Sequence, residues 1–196
     1  MIDLLSRSNY PIFVLDGPDG VGKTTLALAL KEYLGARYIH LTYRFKDKMH
    51  LYHGAAIRLA ARLAENQPVI LDRWWPSEIV YADAYRGGSK FTKHYFLLEH
   101  VATQLGVTYV ICLPKDRERY LKHFEVLKGQ RQEMFNEGLN RVYDGYEWLL
   151  NNYFMYRENV IQYDMFRYYQ ENEVSREVIL RQICQSILEF AEEHRR

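Results

Sequence analysis

Short unbroken apolar runs alternate along the chain with longer stretches in which apolar residues recur every three or four positions. Residues 11–16 (Pro-Ile-Phe-Val-Leu-Asp), 37–42, 68–71, 107–113 and 160–163 are short, β-branched or aromatic-rich, and end in glycine, proline or polar residues. They read as buried strands. Residues 24–34 carry Leu26, Leu28, Leu30 and Leu34 and stop at Gly35, the pattern of a helix closed by glycine. Helical spacing also covers 46–65, 77–85, 93–104, 117–127, 132–153 and 174–193. The segment Lys128-Gly129-Gln130-Arg131 is expected to interrupt helix between the stretches on either side of it. Strands separated by helices predict an α/β fold with a parallel sheet covered on both faces, and ligands gathered at the carboxyl ends of the strands.

Bulk properties narrow this picture only slightly. With 196 residues, 48% of them hydrophobic, the chain suits one domain spanning 1–196. A formal net charge of +1 advertises neither nucleic acid nor an anionic membrane as partner. The longest apolar runs are too short to cross a bilayer, and the amino-terminal Met-Ile-Asp-Leu-Leu-Ser-Arg lacks the pattern of a signal peptide. A cytoplasmic protein is expected. Cys112 and Cys184 sit among apolar residues and read as buried thiols. Most of the 17 tyrosines are expected to pack with the hydroxyl reaching solvent. Tyr143, Tyr146, Trp148 and Tyr153 lie at roughly helical spacing and read as core.

Chemistry enters at the first turn. Gly17-Pro18-Asp19-Gly20-Val21-Gly22-Lys23-Thr24-Thr25 fits G-x-x-x-x-G-K-[ST] between a predicted strand and a predicted helix. Glycines let backbone N–H groups turn toward phosphate oxygens, and the helix amino terminus adds partial positive charge. In such a loop Lys23 bridges the β- and γ-phosphates of ATP and the Thr24 hydroxyl ligates Mg²⁺. The expected fold is therefore a P-loop NTPase three-layer sandwich, with five parallel strands flanked by helices. A second pair, Asp72-Arg73, ends the third strand. The aspartate can hold Mg²⁺ or its water shell, and the arginine can fork onto a phosphate. His50-x-x-His53 lacks further ligands at metal spacing and is not read as a metal site.

These residues resemble the thymidylate kinase family of nucleoside-monophosphate kinases. The resemblance rests on Asp19 within the phosphate loop, on Asp72-Arg73-Trp74-x-x-Ser77, on Val142 followed by Tyr146, and on a lid candidate around Arg131. It implies a short helical lid at about 115–135, Asp19 near the acceptor sugar, Arg73 on the acceptor phosphate and Arg131 over the transferring group. Gly20 leaves the loop without an arginine of its own, which favours Arg131 as its supplier; Arg117 or Arg119 is the fallback. Tyr43, Arg44, Tyr52, Tyr85 and Arg86 are the further substrate-binding candidates. Two departures stand out. Where the family reads thymine with an aromatic residue and an arginine, this chain has Tyr52 and His53 without the arginine. Tyr85-Arg86-Gly87-Gly88-Ser89-Lys90 replaces a glutamine. The compact layout is similar to the bacteriophage branch of these kinases, which implies a host cytoplasm for a phage-encoded chain. That branch also contains enzymes like 5-hydroxymethyluracil DNA kinases.

Three functions compete on the sequence. A deoxynucleoside-monophosphate kinase acting on dTMP or a modified dUMP-like analogue leads. A kinase of a hydroxyl, above all a hydroxymethyl group on a modified base in DNA, is the alternative. A non-catalytic nucleotide-binding module is weakest, because it needs neither the Asp-Arg pair nor a lid arginine. A monophosphate needs positioning and charge neutralisation, whereas an alcohol gains from a nearby carboxylate base. No carboxylate follows the second strand before Asp47, which argues against a free-nucleoside kinase. A small-molecule nucleotide is the expected partner; modified DNA and a homodimer remain open, and a membrane is not expected.

Overall fold

The computed structural model describes residues 8–42, 48–89, 94–130, 138–168 and 175–194, the side chains of 128–130 and 168 aside. Tyr43, Arg44 and Arg131 of the sequence-derived site lie outside the described residues. Five parallel strands form one sheet: β1 (Ile12–Asp16), β2 (Arg37–His40), β3 (Val69–Asp72), β4 (Thr108–Cys112) and β5 (Val160–Tyr163). Their order is β2-β3-β1-β4-β5. Every residue of β1, β3 and β4 is buried, as the continuous apolar runs predict for central strands of a covered parallel sheet.

The helices are α1 (Lys23–Leu34), α2 (Met49–Leu63), α3 (Trp75–Arg86), α4 (Tyr95–Leu105), α5 (Arg117–Gln130), α6 (Leu139–Trp148), a short α7 (Met165–Tyr168) and α8 (Arg176–Glu193). They pack as pairs, α1 with α8, α2 with α4 and α3 with α6. Glycines in the left-handed region end α1, α3 and α4 at Gly35, Gly87 and Gly106. No helix among the described residues is long and apolar enough to cross a membrane.

Three sequence expectations change. Helix α5 runs without interruption through Lys128 and Gly129 to Gln130. Buried Tyr120 and Phe124 anchor its inner face, and one glycine near a helix end costs only about 1 kcal/mol. Of the helix expected over 132–153, residues 132–137 lie outside the described residues; the described helix opens at Leu139, after Gly138 at φ 104°, which a right-handed helix cannot include. Its last residues, Leu149–Tyr153, form a wider π-turn. Within α6, Leu139, Val142, Tyr143 and Tyr146 are buried, the i, i+3, i+4, i+7 stripe of one face. Trp148, placed in the core by the sequence, falls on the opposite face and is 58% exposed.

Candidate active site

The carboxyl ends of β1, β2 and β3 meet the amino terminus of α1 around a cavity of about 370 Å³. It is lined by the phosphate-loop residues Asp19, Gly20, Gly22, Lys23, Thr24 and Thr25, by Asp72 and Arg73 from the end of β3, and by His40 from β2. His123, Leu127, Met165 and Arg176 close the far side. The sequence motif and the Asp-Arg pair, 47 positions apart between Thr25 and Asp72, thus share one wall.

The loop owes its shape to local sterics. At Gly17 φ is 147°, and a Cβ there would lie 2.1 Å from the Cys112 carbonyl oxygen of β4. Only glycine lets the loop leave β1 so close to its neighbour. Gly22, at φ 77°, turns the chain into α1 with no side-chain cap, so the first N–H groups of the helix stay available to an anion. Val21 is buried beneath the loop.

Asp16, fully buried at the end of β1, fastens the pieces together. Its Oδ1 accepts from the Gly17 amide at 2.9 Å, from the Tyr146 hydroxyl at 2.6 Å and from the Ser77 hydroxyl. Its Oδ2 accepts from the Trp74 amide at 3.1 Å and the Ser77 amide at 3.2 Å. A buried carboxylate is tolerable when so many donors satisfy it. Ser77 and Tyr146, two of the residues that carry the sequence resemblance, therefore join the phosphate loop to α3 and α6. Asp16 itself was not singled out from the sequence, where it reads as an ordinary strand terminus.

Arg73 adopts φ 70°, an uncommon conformation for a non-glycine residue. Its amide donates to the Leu15 carbonyl at 2.8 Å. Its guanidinium ion-pairs with Asp19 and lies 5.2 Å above the Tyr81 ring. The turn aims the guanidinium at the phosphate loop instead of along the strand. Burial works to raise the Asp19 pKa, but the Arg73 and Lys23 charges outweigh it and hold the carboxyl below its ordinary range. Lys23 is buried, donates to the Pro18 carbonyl, and stands 3.9 Å from Asp19. Burial first, and then repulsion from Arg73, lower its pKa to about 8.

Asp72 is 1% exposed. Its Oδ2 accepts from the Tyr38 hydroxyl at 2.5 Å and contacts His40 Nδ1 at 3.0 Å. Its Oδ1 is buried with no hydrogen-bond partner among the described residues. Asp72 lines the cavity together with Thr24, and its unpaired buried oxygen fits a hard cation or one of its waters. Thr24 and Asp72 are thus a suitable donor set for Mg²⁺.

The sequence matches no protein-family model and no curated protein. Solved structures do match. The YorR protein of Bacillus subtilis, in complex with phosphorylated GDP, superposes with a TM-score of 0.68 at 18% identity over 93% of this chain and 98% of that one. Thymidylate kinase from Candida albicans gives 0.58 at 15% identity over 96% and 95% of the two chains. Deoxyadenosine kinase from M. mycoides with bound dATP gives 0.53 at 11% identity over 91% and 99%. The chain has the P-loop kinase fold.

On this kinase fold the other described candidates, Tyr52, Tyr85 and Arg86, fall outside the cavity wall. Tyr52 on α2 donates to the Thr42 carbonyl at 3.4 Å. Tyr85 stacks beside Tyr81, with ring centroids 6.1 Å apart, and its ring closely approaches Gly138. Arg86 ion-pairs with buried Glu78 at 2.7 Å, and Ser89 hydrogen-bonds the same carboxylate. Sequence reasoning missed His40, His123, Met165 and Arg176 on the cavity wall. No motif flags them, because each reaches the cavity from a different element. Burial and the neighbouring Arg119 lower the pKa of His123.

Proposed function

We propose that this chain is an ATP-dependent phosphotransferase that moves the γ-phosphoryl group to a deoxynucleoside monophosphate, dTMP or a modified dUMP-like analogue. One observation carries this reading. Arg73, turned by its left-handed backbone, faces the same cavity as Lys23, Thr24 and Asp72. A donor triphosphate on the loop and an acceptor phosphate on Arg73 would then be neighbours. Fold neighbours reported as thymidylate and deoxyadenosine kinases are in keeping with a nucleotide or nucleoside acceptor, and leave the choice between them to the site.

In this reading the loop amides from Gly17 to Gly22, with Val21 beneath them, and the start of α1 at Thr24 and Thr25 cradle the triphosphate. Lys23 leaves the Pro18 carbonyl and moves onto the β- and γ-phosphate oxygens. Thr24 and Asp72 would hold Mg²⁺, which would supply charge neutralisation for the triphosphate. Arg73 exchanges its pairing with Asp19 for the acceptor phosphate, and Asp19 is released toward the acceptor sugar. An acceptor phosphate oxygen attacks the γ-phosphorus as the bond to the β-bridging oxygen breaks, leaving ADP. Arg131, by the family resemblance, would close over the transferring group. Tyr43, Arg44, Tyr52, Tyr85 and Arg86 are the further acceptor-binding candidates from the sequence; of these Tyr52, Tyr85 and Arg86 stand outside the cavity wall and would meet only a part of the acceptor that extends beyond it.

The state of Asp19 weighs against the alternative, phosphorylation of a hydroxymethyl group on a base in DNA. A carboxyl held below its ordinary range by two cations is a poor base for an alcohol. The same cations suit an acceptor that arrives as a dianion. Incubation with γ-labelled ATP and parallel panels of monophosphates, nucleosides and hydroxymethyluracil-containing DNA tests this directly. Label entering only the DNA would refute the monophosphate reading.

A further inference from the structure

Two side chains at the end of β2 have no part in the scheme above, yet both bear on Asp72. β2 lies beside β3 in parallel register, with Tyr38 opposite Ile70 and His40 opposite Asp72. Tyr38 and His40 are two residues apart on one strand, so they project from the same face. Both converge on one oxygen: the Tyr38 hydroxyl at 2.5 Å and His40 Nδ1 at 3.0 Å from Asp72 Oδ2. A carboxylate only accepts, so this contact places a proton on Nδ1. His40 is 44% exposed and lines the cavity beside Asp72 and Lys23. The second oxygen, Oδ1, is buried and has no partner among the described residues.

This asymmetry has a physical consequence. A carboxylate free to rotate offers either oxygen, or both, to a cation. With two donors fastened to Oδ2, rotation is blocked and a single oxygen is presented at a fixed angle. Leaving a buried carboxylate oxygen unpaired is unfavourable unless a ligand completes it.

We propose that Tyr38 and His40 are positioning residues for the metal of the phosphotransferase site: they hold Asp72 Oδ2 so that Oδ1 alone faces Mg²⁺ or one of its waters. The inference rests on the phosphotransferase reading. Groups of this kind behind a metal-bound ligand are worth roughly 10–100-fold in metal affinity.

The test separates metal binding from nucleotide binding. Variants Tyr38→Phe, His40→Leu and the pair are compared with His40→Asn, whose amide nitrogen stands close to the place of Nδ1. Free Mn²⁺ is measured by electron paramagnetic resonance as it is titrated into the protein–ADP complex. ADP affinity in excess EDTA is measured by calorimetry. Each single loss should weaken Mn²⁺ roughly tenfold and the double variant more, while metal-free ADP affinity stays within about twofold. His40→Asn should recover most of the lost metal affinity. Unchanged Mn²⁺ affinity in the double variant overturns the inference. So does an equal fall in metal-free ADP affinity, which would mark a merely structural role. A wild-type chain that bound no ADP at all would instead overturn the phosphotransferase reading, and this inference with it.

Discussion

Under the proposed function, Lys23 should make nucleotide affinity depend on pH. In the free protein burial and Arg73 bring its pKa down to about 8 from the ordinary 10.5. Triphosphate oxygens favour the ammonium form, so binding raises that pKa again. Below about pH 8 the lysine is already charged and binding takes up no proton. Above it, binding must first protonate the amine. The terminal phosphate of the ligand, with a second pKa of about 6, is ionised throughout and adds little slope. The apparent Kd for ATP should therefore rise roughly tenfold between pH 7 and pH 9, about 1.4 kcal/mol. For the nucleotide-free protein the sign is the reverse. The unfolded chain keeps this proton up to the ordinary lysine value while the folded chain has released it. The penalty for burying the charge is thus fully present below about pH 8 and is relieved as pH rises toward 10.5. Calorimetry of ATP binding in buffers of different ionisation enthalpy counts the protons: close to none at pH 7, roughly nine-tenths of one at pH 9. Lys23→Arg, charged at both values, should bind more weakly but lose the slope. A wild-type Kd flat from pH 7 to 9, or a slope that persists in Lys23→Arg, would refute the reasoning.

Lys23→Ala should lower kcat by roughly 10²-fold or more while the fold stays intact and the thermal melt falls no lower than that of wild type, since the buried charge is relieved. Arg73→Ala should raise the acceptor KM steeply at saturating ATP, with Arg73→Lys a poor rescue because the fork geometry is lost; an unchanged KM for every monophosphate would count against the proposed acceptor. Tyr146→Phe removes the 2.6 Å bond to buried Asp16, and urea unfolding should report a loss of about 1–3 kcal/mol. Arg131→Ala should cut kcat by about 10³-fold with ground-state ATP affinity nearly retained; a loss of stability alone would make Arg131 structural.

The strands and the phosphate loop were legible because their signals are local. A run such as Ile12–Asp16 followed by glycines states both burial and turn in consecutive letters. The Asp72-Arg73 pair was legible as chemistry, but not the reason for its aim. That reason is a left-handed backbone at Arg73, held by a bond to Leu15, which no sequence pattern announces. Asp16 was missed for a related reason. Its donors come from Gly17, Trp74, Ser77 and Tyr146, and only the folded sheet brings them together. Lys128-Gly129 misled because a glycine near a helix end can either stop the helix or be carried along. Packing of Tyr120 and Phe124 decided in favour of the helix. Trp148 misled by size, since a large aromatic residue two places beyond Tyr146 points nearly the opposite way around the helix.

Gly20 carries a consequence for how such a chain can vary. A Cβ built there would stand 3.2 Å from the Phe124 ring and 3.3 Å from a Leu127 methyl, both on α5. The Tyr120 hydroxyl ties the same helix to the Asp19 carbonyl at 2.8 Å. Helix α5 therefore rests directly on the loop, in the room that a side chain at position 20 would need. A side chain introduced there would press the Phe124 ring and the Leu127 methyl outward by a few tenths of an ångström and would have to hold φ 79°, a backbone conformation that strains any residue but glycine. A larger residue at position 20 is therefore expected only together with smaller ones at positions 124 and 127.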